Sequence, residues 1–474
     1  MQPHTTFGGG ATDSFMSPIV LTAMIVAVAL VFLLPRKNVI IPFLCFTFLT
    51  PLGQQFYFGG LHFYALRILI LCGCVRLLWS RSSSTGSVLP GGFTGIDKVF
   101  TIWAIWRALA FVLLYRQGSA VANQLGFLWD TLGAYFLVRY LIRDVEDIRR
   151  VARVFVVIAV IMAACMLYEH FTLKNVFGLL MGGRITVDVR EGHARCRGVF
   201  EQQILASAFG GTLVPLFLWL WKAGNSKIGA IVGVISASII TVTSSSSTGV
   251  SAYATGILAL CLWPLRRHMR QFRWGVVVAI VGLALLMKAP VWFVFAHVDF
   301  AGGSTGWDRA NLIDQCVRHF GDWWLVGTAN FANWGDFTWD LCNQFVGEAE
   351  TGGLATLILF IILISHCFGG IGMARKRAEG DPAREWLLWT LGAVLSAHMA
   401  AFMGISYFDQ TQVWWFVTLG MICAVTTKRT SPNIRKSKQS SAINLDRTAS
   451  IPQSGDLMST LRGLQLNAVV IEVN

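Results

Sequence analysis

Charge is what this chain has least of. Only 13% of its 474 residues are Asp, Glu, Lys or Arg, whereas 55% are hydrophobic. A mean hydropathy of +0.60 puts it far outside soluble composition and makes lipid the solvent of most segments. Also missing are HExxH, a P-loop and any DxD placed beside a nucleotide diphosphate, so metallohydrolase and nucleotide-dependent chemistries find little support. The ten cysteines form no CxxC joined to a second CxxC or to a His pair at metal spacing, and neither a metal nor another cofactor is expected. Cys45, Cys72, Cys74, Cys165, Cys261, Cys367 and Cys423 lie inside apolar runs and read as small buried hydrophobes. The opening MQPHTTFGGGATDSF lacks the basic n-region of a cleavable signal, so the first apolar run is expected to stay as a span. No internal repeat or pair of Gly- or Pro-broken spans stands out.

What the chain does have is a series of apolar runs. They begin near Ser17, Val39, Leu61, Ile96, Ala122, Val151, Ile204, Ile228, Val250, Trp274, Gly347, Trp386 and Gln410, which makes about 12 or 13 runs able to cross a bilayer, the second being the weakest. The net charge of +13 resides mainly in the short gaps between them, which is a topology signal and not a nucleic-acid patch. If PRKN is cytoplasmic, alternation places on the same side Arg76 with Arg81, RDVEDIRR, Lys222 with Lys227, RRHMRQFR, MARKRAEGDPAREW and the tail from Lys428. The expectation is an all-α polytopic membrane domain over 1–427, N-terminus outside and C-terminus inside, followed by a disordered basic cytoplasmic tail over 428–474.

Two outer loops are long, about 171–200 and 296–345 by this alternation. The first holds Lys174, Arg184, Arg190, Arg195 and Arg197 against Asp188 and Glu191. Cation in excess on the translocated side either serves an anionic partner, since Arg offers a rigid fork for phosphate, or is merely solvated on a long loop. In the second, Trp307, Leu312, Cys316, Val317 and Phe320 recur at helical spacing, so RANLIDQCVRHF reads as an amphipathic surface helix. Trp323, Trp324, Trp334 and Trp339 suit either the membrane interface or stacking on sugars. Within the spans, Arg67, Arg107 and Asp130 are costly unless they face protein or water. Arg107 and Asp130 lie at similar depth on neighbouring antiparallel runs and are expected to pair, as a structural bridge or in a cavity wall. Arg67 sits nearer the outer mouth, where it can join the basic loop. His398 reads first as a hydrogen-bonded core histidine.

The stretches RCRGVFEQQILASAFGGTLVPL, DRANLIDQCVRHFGDWWLVGTANFANW and CNQFVGEAETGGLATLILF resemble the O-antigen ligase and polymerase superfamily of bacterial inner-membrane proteins. The likeness rests on an Arg, small residue and Phe ahead of a helix, an Arg-led surface helix with a Gly-containing turn, and a polar-Asn signature leading into a Gly-rich helix. The resemblance implies transfer of a glycan from an undecaprenyl diphosphate carrier to an acceptor glycan or lipid hydroxyl on the periplasmic side. It further implies no metal, membrane lipid as surroundings, and a flippase and a chain-length regulator as partners. On that reading Arg195, Arg197 and Arg67 hold the diphosphate. Arg309 joins them as a catalytic residue that stabilises the departing charge, while Asp308, His319, Asn343 and Glu348 position the acceptor or take its proton, with Glu350 a further carboxylate to weigh. Two departures leave the acceptor open. Cys342 stands where ligases of the group carry His before Asn, and TSSSSTG lacks the Arg that often follows its serines. Polymerisation of exopolysaccharide or O-antigen, ligation onto lipid A-core, and carriage of a lipid-linked glycan without bond formation all remain open. Cys342 is either inert or paired with Cys316 or Cys196.

Overall fold

The computed structural model describes residues 15–58, 61–82, 89, 91–223, 226–297, 306–335 and 342–427. Residues 1–14, Trp339 and the 428–474 tail lie outside them. Each apolar run coincides with a helix: Pro18–Leu33, Ile40–Leu49, Ala65–Ser82, Gly95–Tyr115, Gly118–Leu128, Val145–Thr172, Gln203–Lys222, Lys227–Thr243, Ser247–Cys261, Met269–Leu286, Gln344–Arg377, Pro382–Phe402 and Gln410–Thr426. Among the described residues, five helices are long and apolar enough to cross a membrane: Gly95–Tyr115, Val145–Thr172, Gln203–Lys222, Met269–Leu286 and Gln344–Arg377.

Three runs depart from simple spans. Ile40–Leu49 has ten residues, about 15 Å of helix, too short to cross alone. The run from Leu61 opens as a strand, Leu61–Tyr64, paired antiparallel with Gln55–Phe58, and turns helical only at Ala65; aromatic residues on both sides of a Gly-Gly pair favour a hairpin there. The run from Ala122 passes through a π-helical turn, Trp129–Gly133, before Ala134–Leu141 resumes the α-helix. Such a turn adds a residue to the helical circuit and redirects the side chains it carries.

Because lipid is as apolar as Leu, helices in a bilayer associate through close packing and hydrogen bonds. The Gln203–Lys222 helix illustrates this. A Cβ on Gly211 would come within 2.4 Å of the Gly249 carbonyl, and one on Gly249 within 2.4 Å of the Ser207 carbonyl, so glycine at both places lets the backbones nearly touch. Beside this contact, Phe48 stacks on Phe209 at 5.0 Å and Phe155 meets Trp414 edge-on at 4.8 Å. The Trp414 indole donates to Thr212 Oγ1 at 2.9 Å.

The two ends of the bundle differ chemically. One collects ion pairs of the basic gaps, Arg36 with Asp147 at 3.5 Å and Arg266 with Glu385 at 3.2 Å. Just inside it Arg139 Nε lies 3.0 Å from Asp97 Oδ1, both side chains fully buried, and Asp97 also accepts from the Tyr135 hydroxyl at 2.6 Å. The opposite end gathers the hairpin Asp188–Arg190 and His193–Arg195, the 243–248 turn, the Gly306–Arg318 helix and the 404–409 turn.

Candidate functional site

Glu169, near the end of Val145–Thr172 and 1% exposed, organises the first loop. Its carboxylate accepts from the backbone N–H of Arg197 at 2.9 Å, that of Gly198 at 3.0 Å, and the Asn175 side-chain amide at 2.9 Å. Gly198 takes a φ of +57°, which a residue with a Cβ enters at a cost. The Cys196 N–H donates to the Thr243 carbonyl at 3.1 Å and the Ser245 hydroxyl to the Ala194 carbonyl at 3.2 Å, docking the hairpin on the serine-rich turn. On this frame Arg195 is half-buried, and Arg190, Arg309 and Asp188 act on it. Burial foremost, then the repulsion of Arg190 and Arg309, lowers its pKa. Among the described residues its Nε has no hydrogen-bond partner. Arg309, from the surface helix, donates to Thr248 Oγ1 at 2.9 Å, and Thr248 donates to the Gly404 carbonyl at 3.4 Å. Arg195 and Arg309 therefore meet from different loops over the 243–248 turn.

The other diphosphate candidates stand elsewhere. Arg197 turns back to donate to the Arg184 carbonyl. Arg67 is held by Asp130, with Nε 2.9 Å from Oδ1 and an NH2 group 2.7 Å from Oδ2. The expected Arg107–Asp130 pair does not form, because the π-helical turn directs Asp130 to Arg67. Arg107 instead lies 3.7 Å from Glu348 and stacks its guanidinium over Phe127 at 4.4 Å.

Glu348 is buried at 1% exposure. Its two oxygens accept from Gln344 at 2.7 Å and from the Trp103 indole at 3.0 Å. It lines a cavity of about 360 Å³ with Trp103, Arg107, Thr131, Gln202, Gln344, Ser406, Tyr407, Gln412, Trp415 and a set of phenylalanines. Asn343 caps the helix below, its Oδ1 accepting from the N–H of Phe345 at 2.9 Å and Val346 at 3.2 Å, which satisfies donors that a helix start leaves open. The Asn343 carbonyl accepts from Ser406 at 3.2 Å, and the Tyr407 N–H donates to Gln344 Oε1 at 2.6 Å. Cys342 lies in the field of Arg195, so residues 342–348 run from the arginine cluster into the cavity wall.

The helix that starts there breaks after two turns. Gly352 and Gly353 leave helical geometry, Gly353 at φ +73°. The gap is filled by the turn after the surface helix: the Leu354 N–H donates to the Trp324 carbonyl and the Thr328 N–H to the Glu350 carbonyl, both at 2.9 Å. A Cβ on Gly353 would sit 2.6 Å from the Leu325 carbonyl, and one on Gly327 2.0 Å from that of Glu350.

The surface helix forms, but only part of its expected apolar face packs inward. Leu312 and Cys316 pack with Trp323, Phe331, Val346 and Ala349, while Trp307, Val317 and Phe320 are exposed. Asp308 lies in its first turn. His319 ends it, with Nδ1 3.0 Å from the Gln315 carbonyl and the ring stacked on Trp334 at 5.0 Å, and no contact joins it to Glu348. Among the described residues Cys196 and Cys316 form no disulfide, and burial pushes their thiols up to about 12. His398 is a core histidine between Tyr407, 3.0 Å from Nδ1, and Thr418, 3.1 Å from Nε2.

Sequence reasoning missed Trp103, Thr131, Gln202, Tyr407 and Trp415 in the cavity, since each looks like an ordinary span or loop residue until the helices assemble. It missed Glu169 as well, although a carboxylate at the end of a span beside an Arg-rich loop was a usable signal. Among the described residues no group of His, Cys, Asp or Glu is arranged to hold a metal. No protein-family model matches the chain, and no curated protein matches it.

Proposed function

We propose that this protein transfers or polymerises oligosaccharide from an undecaprenyl diphosphate carrier onto a glycan hydroxyl. On this reading it works at the periplasmic face of a bacterial inner membrane, which it crosses an odd number of times, about 13, with its N-terminus outside and C-terminus inside. The observation that carries the reading is the meeting of Arg195 and Arg309 from separate loops, next to a segment that leads to a buried carboxylate in a cavity. Two guanidinium forks placed against each other's repulsion suit a ligand with several negative oxygens.

The chemistry then needs little else. The acceptor hydroxyl oxygen bonds to the anomeric carbon as the bond from that carbon to the diphosphate oxygen breaks, and the electron pair leaves on the diphosphate, where Arg195 and Arg309 stabilise it. The hydroxyl proton passes to a carboxylate, a part we assign to Glu348 because it is buried in the cavity wall. Ligation onto lipid A-core would use the same steps with a different acceptor.

The test replaces Arg195 and Arg309 singly with Lys, keeping charge and losing the fork. Losing one charge-assisted hydrogen bond, about 1.5–3 kcal/mol, should slow transfer about tenfold or more. Carrier-linked intermediates and glycan chain length are read in the membrane. Build-up of single carrier-linked repeats marks a polymerase, and build-up of long carrier-linked chains a ligase. Wild-type glycan from both variants at normal expression would overturn the reading and favour carriage of the lipid-linked glycan without bond formation.

A further inference from the structure

We infer that the basic end of the bundle carries a site for an anionic phospholipid headgroup, held by Lys222, Arg266 and Arg375 on a platform of three tryptophans. It lies at the opposite end from Arg195 and Arg309, so it stands or falls independently of the glycan reading.

The ends of three helices and one turn build it. Lys222 closes Gln203–Lys222, Arg266 lies in the turn Trp263–Arg267, Arg375 is in the last turn of Gln344–Arg377, and Trp386 and Trp389 come from Pro382–Phe402. The Trp263 ring meets Trp386 edge-on at 5.0 Å and Trp389 at 5.8 Å. Lys222 Nζ stands 4.2 Å from the Trp386 ring centre and 5.7 Å from that of Trp263. The Arg266 guanidinium lies over Trp263 at 4.3 Å and that of Arg375 over Trp389 at 5.3 Å. Arg375 also donates to the Arg266 carbonyl at 2.5 Å, which ties two of the cations together.

Against these cations stands one carboxylate in contact, Glu385, 3.2 Å from Arg266. Lys222 is exposed, and among the described residues only the two indole rings meet its ammonium. An indole face attracts a cation without cancelling its charge. Residues 222, 263–273 and 375–385 hold nine Lys or Arg against three Asp or Glu, so the neighbouring side chains do not make up the difference. The patch keeps a positive surplus that a phosphodiester can neutralise.

The order of residues along the helices identifies the anion as a lipid's. Tryptophan favours the headgroup level of a bilayer. About one helical turn further in, roughly 6 Å, Leu218 follows Lys222, Leu260 follows Trp263 and Ala393 follows Trp389, and these three belong to one apolar cluster. Charge, ring and hydrocarbon therefore succeed one another inward, which is the polarity of a phospholipid and not of a dissolved anion.

The test places the full chain in nanodiscs of phosphatidylcholine, alone or mixed with phosphatidylglycerol. It reads the melting temperature and, by native mass spectrometry, the lipid retained on release. Phosphatidylglycerol should raise the melting temperature of the wild type and stay bound to it. Lys222→Gln should lose most of that rise and hold the lipid about fivefold more weakly, the scale of one basic residue at an anionic surface. Lys222→Arg, which keeps the charge over the rings, should retain both. Lys376→Gln removes an exposed cation of the neighbouring gap and should behave as the wild type. Each variant is compared with itself in the two lipids, so a general loss of stability does not enter. Equal losses in Lys222→Gln and Lys376→Gln would reduce the effect to diffuse surface charge and overturn the site. A wild type indifferent to phosphatidylglycerol would overturn it too, as would an equal rise from inorganic phosphate in phosphatidylcholine discs, which would give the patch to a dissolved anion.

Discussion

At the scale of single residues, Glu348 illustrates how a buried charge is kept. Its oxygens are occupied by Gln344 and Trp103, and Arg107 supplies the opposite charge. Arg107→Ala strands that carboxylate, an error worth about 3–5 kcal/mol in buried pairs. We expect a clear drop in melting temperature, largely restored in Arg107→Ala/Glu348→Gln, where nothing charged is left behind; equal melting of the single and double variants would show that the pair is not coupled. Asp409 makes a pH prediction. Its carboxylate accepts from the N–H of Thr411 at 2.9 Å and Glu201 at 3.2 Å, yet desolvation outweighs these bonds and pushes its pKa up to about 7. A folded-state value above the ordinary carboxylate range means that the native protein holds this proton more tightly. The stability it contributes is complete in acid and is lost as pH rises through about 7. Melting of the wild type should therefore fall between pH 5 and pH 8 by more than that of Asp409→Asn, and parallel curves would refute the assignment. The sequence marked Glu348 because it sits beside an Asn at a helix start. It could not mark Asp409, whose importance comes from a contact with Glu201, 208 positions away in the chain.

At the scale of elements, the break at Gly352–Gly353 separates a short capped half-helix from the long apolar remainder. Gly353→Ala must place a Cβ at φ +73° and against the Leu325 carbonyl, so it is expected to lower the melting temperature and abolish glycan transfer. Gly282→Ala, where a Cβ meets nothing within 4 Å, should leave both unchanged. Loss of function in both, or in neither, would show that the break has no special standing. The length of the apolar runs made the helices legible. It did not show the break, since Gly-Gly within an apolar run is compatible with a continuous helix, nor the π-helical turn, which moves Asp130 from Arg107 to Arg67. A one-residue change in helical phase decides that partner, and hydropathy averages over such detail.

At the scale of the molecule, the two ends of the bundle divide the labour, one carrying basic gaps and the other the loops of the site. Under the proposed N-out, C-in arrangement, a fluorescent protein fused after Thr427 should light up and alkaline phosphatase fused there should stay inactive, whereas an active phosphatase would invert the topology. The helices themselves were readable because hydrophobic runs are a local property. The cavity was not, because its wall draws on five segments spread from Trp103 to Phe416. The interlock of the Trp324–Thr328 turn with Glu350–Leu354 has a consequence for how such a protein can change over time. That joint consists of main-chain hydrogen bonds and glycines, so its register is indifferent to which side chains the surface helix carries. Exposed side chains of the surface helix such as Trp307 and Val317 can be exchanged without moving the platform that presents them.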